Sequence, residues 1–201
     1  PEEHGHVNYV VNGELVRRED IKVEFIWDRL YKAGKEVRAL NIPFVVPPYS
    51  FNVDFKPVGF GLPTDEKEWT EELERVTATT KELLSGEPDV LISVYTLLDR
   101  IQHFHWGEEY VVEWYRRMDD KIGELIFDTG FLGGNNRLIL ISDHGFCSFG
   151  EAKIQTLPEL TEYGRLKGDH HEHAVVITVN VAHEIKRPQD VFFSIIDEIG
   201  V

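Results

Sequence analysis

The sequence predicts an α/β fold with a mainly parallel sheet, built as one domain over residues 1–201. Short apolar runs of strand length alternate along the chain with longer amphipathic segments of helix length, the pattern of a parallel sheet covered by helices. The clearest run, Leu138–Ile141, is apolar throughout and is followed by Ser142-Asp143-His144-Gly145, as expected for a buried strand that ends at a sheet edge. With 201 residues, of which 42% are hydrophobic, the chain is long enough to bury such a core.

Four helices are predicted, and local signals mark their ends. Asp20 is a good N-cap for the first helix, and Gly34 stops it. Thr64 or Asp65 caps the second helix, whose apolar residues recur at helical spacing on one face. The predicted helices run from residue 21 to 33, from the Thr64 or Asp65 cap to 84, from 108 to about 127, and from 188 to 199.

The predicted strands cover residues 37–42, 89–95, the run from Leu138, and 174–181. The chain between Gly145 and residue 166 is expected to be irregular. Residues 43–63 are too rich in proline for a helix or a central strand, yet too apolar for a solvated linker. We interpret this segment as an ordered cap or substrate-side loop, with aromatic residues that suit a nucleobase or an alkyl group. A packed surface loop is an equally good interpretation.

Composition excludes several classes of function. The formal net charge is −15, which argues against nucleic-acid binding and against docking on an anionic membrane. No apolar run approaches the roughly 20 residues that span a bilayer. Cys147 is the only cysteine, so an internal disulfide is impossible and an intracellular, cytoplasmic setting is expected.

Three clusters of candidate metal ligands stand at the ends of predicted strands. Asp99 and His103 are four residues apart, so a helical turn would place both on one side. Asp143 and His144 directly follow the Leu138 strand, and the segment 168–173, Gly-Asp-His-His-Glu-His, precedes the strand at 174. Mixed aspartate and histidine ligands suit Zn²⁺, Mn²⁺ or Fe²⁺ better than the hard ions Ca²⁺ and Mg²⁺.

Each cluster taken alone also has a simpler explanation. The pair Asp143-His144 would then be a hydrogen-bonded turn, Asp99 and His103 an exposed helical pair, and the histidines near 170 a solvated loop. Their shared position at strand ends favours one metal site, because strand ends are where open α/β sheets form sites. The absence of cysteine ligands argues against a structural zinc site.

The three clusters also resemble, in this order and at these intervals, the motifs of the alkaline phosphatase superfamily. The nearest branch is the type I phosphodiesterase/nucleotide pyrophosphatase family, and the resemblance spans almost the whole chain. It implies a three-layer α/β/α fold and phosphoryl transfer from a small phosphate ester or nucleotide at two divalent metal ions. The residues that carry it are Asp99-x-x-x-His103, Ser142-Asp143-His144-Gly145, Gly168-x-His170 and Pro1-Glu-Glu-His4-Gly5.

The resemblance also implies a role for each matching residue. Asp99, His103 and His170 would bind one ion, and Asp143 and His144 the second, with Zn²⁺ or Mn²⁺ as the expected metals. His171 and His173 compete with His170 for the third position, and Gly168-x-His170 fits the family pattern best.

One departure from the family pattern concerns the chemistry itself. The family's second metal also needs an Asp at the end of a first strand, followed by a Thr or Ser nucleophile, and both are expected upstream of Pro1. We therefore expect an N-terminally truncated, catalytically incomplete piece of a larger catalytic domain, which binds one ion or none. A phosphomutase or sulfatase-like member of the superfamily, or a non-catalytic metal-binding domain, stays open, and so does the oligomeric state. Cys147 lies in the wrong place for a sulfatase nucleophile.

Overall fold

The structure is a computed structural model that describes residues 10–11, 14–15, 23–42, 65–155 and 157–201. The predicted N-cap Asp20, the segment Pro1 to Gly5 and the predicted cap at 43–63 lie outside the described residues. The helices are α1 (Ile26–Lys32), α2 (Glu66–Leu84), α3 (Leu97–His105), α4 (Glu109–Gly123) and α5 (Pro188–Ile199). The strands are β1 (Val10–Val11), β2 (Glu14–Leu15), β3 (Val37–Leu40), β4 (Val90–Ser93), β5 (Leu138–Ile141), β6 (Gly145–Ser148), β7 (Leu160–Thr161), β8 (Gly164–Arg165), β9 (Gly168–His171) and β10 (Val176–Val179).

The strands of the described residues pair two by two. β3 and β4 are parallel, with Val37 opposite Val90, while β5 and β10 are antiparallel, with Ile141 opposite Val176. The pairs β1–β2, β6–β9 and β7–β8 are also antiparallel. A mixed α/β architecture is therefore confirmed. The mainly parallel sheet of a three-layer fold is not confirmed, because only one of these ladders is parallel.

Two hydrophobic clusters hold these elements together. The first joins α2, α3 and α4, and the rings of Trp69 and Trp114 meet edge to face in it at 5.8 Å. The second joins α1, β3 and α5. Leu30 of α1 is fully buried in this cluster, and Leu40, the last residue of β3, is fully buried as well. No helix of the described residues is both long enough and apolar enough to cross a membrane.

Most helix boundaries follow the local signals of the sequence. The Asp65 side chain accepts a hydrogen bond from the Lys67 amide at 2.7 Å, so the predicted N-cap of α2 is confirmed. The predicted start of the first helix is wrong, because α1 begins at Ile26, where Asp28 accepts from the Phe25 amide. The predicted third helix, from 108 to about 127, is confirmed, because α4 continues directly into a π-helical segment over Glu124–Asp128.

The ladder between β6 and β9 was not predicted, although it builds the surroundings of the candidate ligands. It sets Gly145 opposite His171 and Phe146 opposite His170. β9 also lies very close to α3, since a Cβ on Gly168 would stand 2.5 Å from the Gln102 carbonyl oxygen and 2.8 Å from the Trp106 Cβ. Glycine is therefore required at this position by the contact between strand and helix.

Replacing Gly168 with alanine should destabilise the protein by about 1–3 kcal/mol, the usual cost of an added group in a packed interior. The backbone of α3 blocks the new methyl group, and backbone cannot move aside as a flexible side chain can. Urea unfolding of Gly168→Ala measures the change in the free energy of unfolding. Gly133→Ala is the matched control, because a Cβ there meets nothing within 4 Å. Equal stability of the two variants would contradict the close contact.

Candidate metal centre

Helix α3 places Asp99 and His103 on one side, as their spacing predicted. The Asp99 Oδ1 atom lies 3.5 Å from the His103 Nε2 atom. Their surroundings differ, since the His103 side chain is 1% exposed and the Asp99 side chain is 39% exposed. The cluster thus has a buried imidazole at its base and a carboxylate at its solvent side.

Strand β9 brings the third candidate, His170, to the same point from a distant part of the chain. Its Nε2 atom lies 3.1 Å from the His103 Nε2 atom and 3.1 Å from Asp99 Oδ1. One ligand atom from each of the three residues lies within 4.8 Å of the other two. Two nitrogens and one oxygen therefore converge, in a group of residue types that can hold a metal ion.

The orientation of His103 is set by the strand beside it. Its Nδ1 atom lies 3.0 Å from the Gly168 carbonyl oxygen, which can only accept, so Nδ1 carries the proton and donates. In the neutral ring the lone pair is then on Nε2, which faces Asp99 and His170. Burial is the largest influence on His103 and lowers its pKa below the ordinary value, so the ring stays neutral near pH 7.

The charge of Asp99 is stabilised within the cluster. Burial raises the pKa of Asp99, but the hydrogen bond with His170 and the electrostatic influence of the three neighbouring imidazoles outweigh it. The pKa of Asp99 therefore lies below its ordinary value, and the carboxylate is ionised over the physiological range. Asp99 thus offers a negative oxygen and His103 a neutral ring with its lone pair on Nε2, which are the protonation states that metal ligands require.

Asp143 and His144, the predicted second-metal ligands, lie beside this group but outside it. The His144 ring stacks on the His170 ring with 3.6 Å between centroids, and its Nε2 atom is 3.6 Å from Asp99 Oδ1. The Asp143 side chain is 88% exposed, with Oδ2 3.5 Å from His144 Nε2. The structure thus brings the pair to the edge of the cluster, and its role as a metal-binding pair stays a prediction.

The competing histidines take another position. His171 follows His170 in β9, and successive side chains of a strand point to opposite faces. The rings of His171 and His173 contact each other at 4.7 Å, and His171 Nδ1 accepts from the His173 amide. Neither belongs to the three-residue group around Asp99.

Sequence reasoning missed a buried ion pair next to the site, between Glu72 of α2 and Arg100 of α3. Both side chains are almost fully buried. Burial is the largest influence on Glu72 and raises its pKa, although Arg100 and the bonds from Thr96 act against it. The signal was present in the sequence, because Glu72 falls on the apolar stripe of α2, three residues after Trp69.

The comparisons with known proteins agree with this arrangement of motifs. Residues 1–198 match the family model described as type I phosphodiesterase / nucleotide pyrophosphatase. A search of curated proteins and a search of solved structures each found no match. The match covers nearly all of the chain, including every candidate ligand from Asp99 to His170. The chain therefore belongs to the type I phosphodiesterase/nucleotide pyrophosphatase family.

Proposed function

We propose that this chain is the metal-binding part of a phosphodiesterase or nucleotide pyrophosphatase, and that Asp99, His103 and His170 hold one divalent ion. The observation that carries the proposal is the convergence of these three side chains, from a helix and a distant strand, within 4.8 Å. Family membership supplies the reaction class, the hydrolysis of phosphate esters or nucleotides. The proposed substrate is accordingly a small molecule that carries a phosphate ester.

The donor set fits a transition metal of the zinc or manganese type. Two imidazole nitrogens and one carboxylate oxygen are borderline ligands, whereas Ca²⁺ and Mg²⁺ prefer sites made almost wholly of oxygen. Three protein ligands leave a fourth position for water or substrate, which is the usual form of a catalytic zinc site. The partial exposure of Asp99 leaves that position accessible from solvent.

The chain's own residues prepare the site in separate ways. The Gly168 carbonyl oxygen accepts a hydrogen bond from His103 Nδ1. The Nε2 lone pair of His103 is thereby directed at the metal position. Asp99 supplies the negative charge. Asp143 and His144 would contribute ligands to a second ion. When bound, two such ions would neutralise the phosphate oxygens and stabilise the attacking and leaving oxygens.

We also propose that the observed ladders are parts of the three-layer α/β/α sheet that the family resemblance implies. Parallel pairing of β3 with β4 supports this, because parallel strands are characteristic of sheets covered on both faces. The apolar sequence of β5 supports it as well, since Ile141 is 45% exposed in the present ladder and would be covered in a larger sheet.

Loss of one ligand should abolish tight metal binding. Loss of a residue that only orients a metal ligand typically weakens metal binding by about 10–100-fold. We expect Asp99→Ala, which removes a ligand itself, to weaken Co²⁺ binding by more than this. Titration calorimetry and the visible absorption of bound Co²⁺ measure this change. Asp119→Ala, at an exposed position of α4, is the control and should bind as the unchanged protein does. Equal affinity of Asp99→Ala and the unchanged protein would overturn the site.

Hydrolysis provides the second test of the proposal. Cleavage of a bis-aryl phosphate by the protein should require bound metal, and a chelator should remove the activity reversibly. Metal binding without any hydrolysis would instead favour a non-catalytic metal-binding domain.

The neutral state of His103 predicts a pH-dependent stability for the metal-free protein. Because burial lowers its pKa, the unfolded chain binds more protons than the folded one once the pH falls below about 6.5. Stability is therefore complete above that pH and decreases on acidification. Between about pH 7 and pH 5 the loss attributable to His103 is at most about 2 kcal/mol, the limit that linkage sets for one group.

Urea unfolding at both pH values, in the presence of a chelator, measures this dependence. His103→Asn is the comparison, because its amide can still donate to Gly168 but does not titrate. The variant should lose less stability on acidification than the unchanged protein. An identical loss in both proteins would show that His103 is not held neutral.

A further inference from the structure

The Glu72 carboxylate is a point where three separate parts of the fold meet. Glu72 lies in α2 and is fully buried. It accepts hydrogen bonds from the Thr96 amide and from the Thr96 hydroxyl, the latter at 3.0 Å, and it pairs with Arg100. The side chain of Asn41, just beyond the end of β3, donates from Nδ2 to the same carboxylate at 3.4 Å.

These contacts hold the beginning of α3. The first amides of a helix have no partner within the helix, and Thr96, the N-cap residue, makes no capping bond with its own side chain. Glu72 supplies a carboxylate there from another helix, and negative charge at a helix N-terminus is favourable. Thr96 and Arg100 are thus both attached to Glu72, and Asp99 lies in the turn between them.

The end of α3 is held differently, by strand β9. The Lys167 amide donates to the His103 carbonyl at 2.7 Å, and His103 Nδ1 donates to Gly168. Asp99 is therefore oriented mainly from the Glu72 side and His103 mainly from the strand side. The 3.1 Å approach of Asp99 to His170 joins this helix to a distant strand, so it depends on how α3 is held at both ends.

A buried ion pair is a costly way to fill a protein core. Desolvation can exceed the attraction between the charges, and apolar residues of similar volume are often as stable. The Arg100 Nε and Nη1 atoms add to this cost, because they make no hydrogen bond within the residues that the structure describes. A buried pair is therefore weak evidence for a contribution to stability, and the position of Arg100 next to Asp99 in sequence favours a role in orientation.

We propose that Glu72 is a positioning residue of the metal site, which fixes the first turn of α3 so that Asp99 meets His103 and His170. This inference rests on the proposed metal function. It adds to the proposed metal site a residue of another helix, α2. This residue contacts neither the metal nor the substrate. Arg100 extends this attachment by one helical turn, because its side chain pairs with the same carboxylate that Thr96 contacts.

Co²⁺ titration followed by visible absorption and calorimetry tests the proposal. Glu72→Gln keeps the size and an acceptor oxygen but removes the charge, and we expect about tenfold or greater loss of Co²⁺ affinity with altered absorption bands. Glu71→Gln is the matched control, since Glu71 is the neighbouring residue of the same helix and pairs with Arg75 at the exposed surface. It should leave affinity and bands unchanged.

The double variant Glu72→Leu/Arg100→Met separates positioning from stability. It replaces the ion pair by apolar side chains, so it should fold even if Glu72→Gln does not. We expect cooperative unfolding near that of the unchanged protein together with the weakened Co²⁺ binding. A folded double variant with unchanged Co²⁺ affinity and bands would overturn the proposal, because the pair would then serve stability alone.

A readout without metal distinguishes failure of this inference from failure of the proposed function. Nitrogen-15 NMR of the metal-free protein reports the ring nitrogens of His170, whose Nε2 atom lies 3.1 Å from Asp99 Oδ1. The double variant should shift the His170 signal, because Asp99 moves away from it, and should leave the His103 signal, which reports the bond to Gly168, unchanged. If the unchanged protein binds no Co²⁺, the metal function is overturned, and the NMR comparison still decides the positioning role: identical His170 signals in both proteins reject it.

Discussion

The close approach of β9 to α3 at Gly168 is the constraint on which the site depends. A glycine there lets strand and helix backbones come together, and the same residue's carbonyl oxygen accepts from His103. His170, two residues later in the strand, is then delivered to Asp99 and His103. The spacing Gly168-x-His170 therefore has a physical reason, because the contact residue and the ligand must lie on the same face of one strand.

Features specified by neighbouring residues could be predicted from the sequence. The cap at Asp65 and the helix Pro188–Ile199 are examples, since their signals lie within a few residues of each other. The approach of Asp99 to His103 also follows from helical spacing alone. Helical spacing thus singled out Asp99 and His103, whereas His170 was preferred over His171 and His173 through the family resemblance. The structure brings Asp99, His103 and His170 together.

Features that depend on distant parts of the chain could not be predicted in this way. The β6–β9 ladder has a polar strand, Gly-Asp-His-His, without the alternation that marks a half-buried strand. The antiparallel pairing of β5 with β10 could not be predicted either, because an apolar sequence does not show whether its partner strand runs parallel or antiparallel. The position of Glu72 on the apolar stripe of α2 indicates burial, but its partner Arg100 lies in another helix and meets it only in the folded chain.

The half-covered ladder of β5 and β10 has a consequence for the behaviour of the protein in solution. Ile141, Val176 and Ile177 are between 44% and 50% exposed, and within the described residues the outer edges of β5 and β10 have no strand partner. Such apolar edges invite pairing between molecules. The net charge of −15 opposes such contacts, because like-charged copies repel each other. Salt screens this repulsion within about 10 Å at 0.1 M and leaves the apolar attraction intact. Colloidal stability is therefore greatest in dilute buffer, and high ionic strength drives the chains towards association.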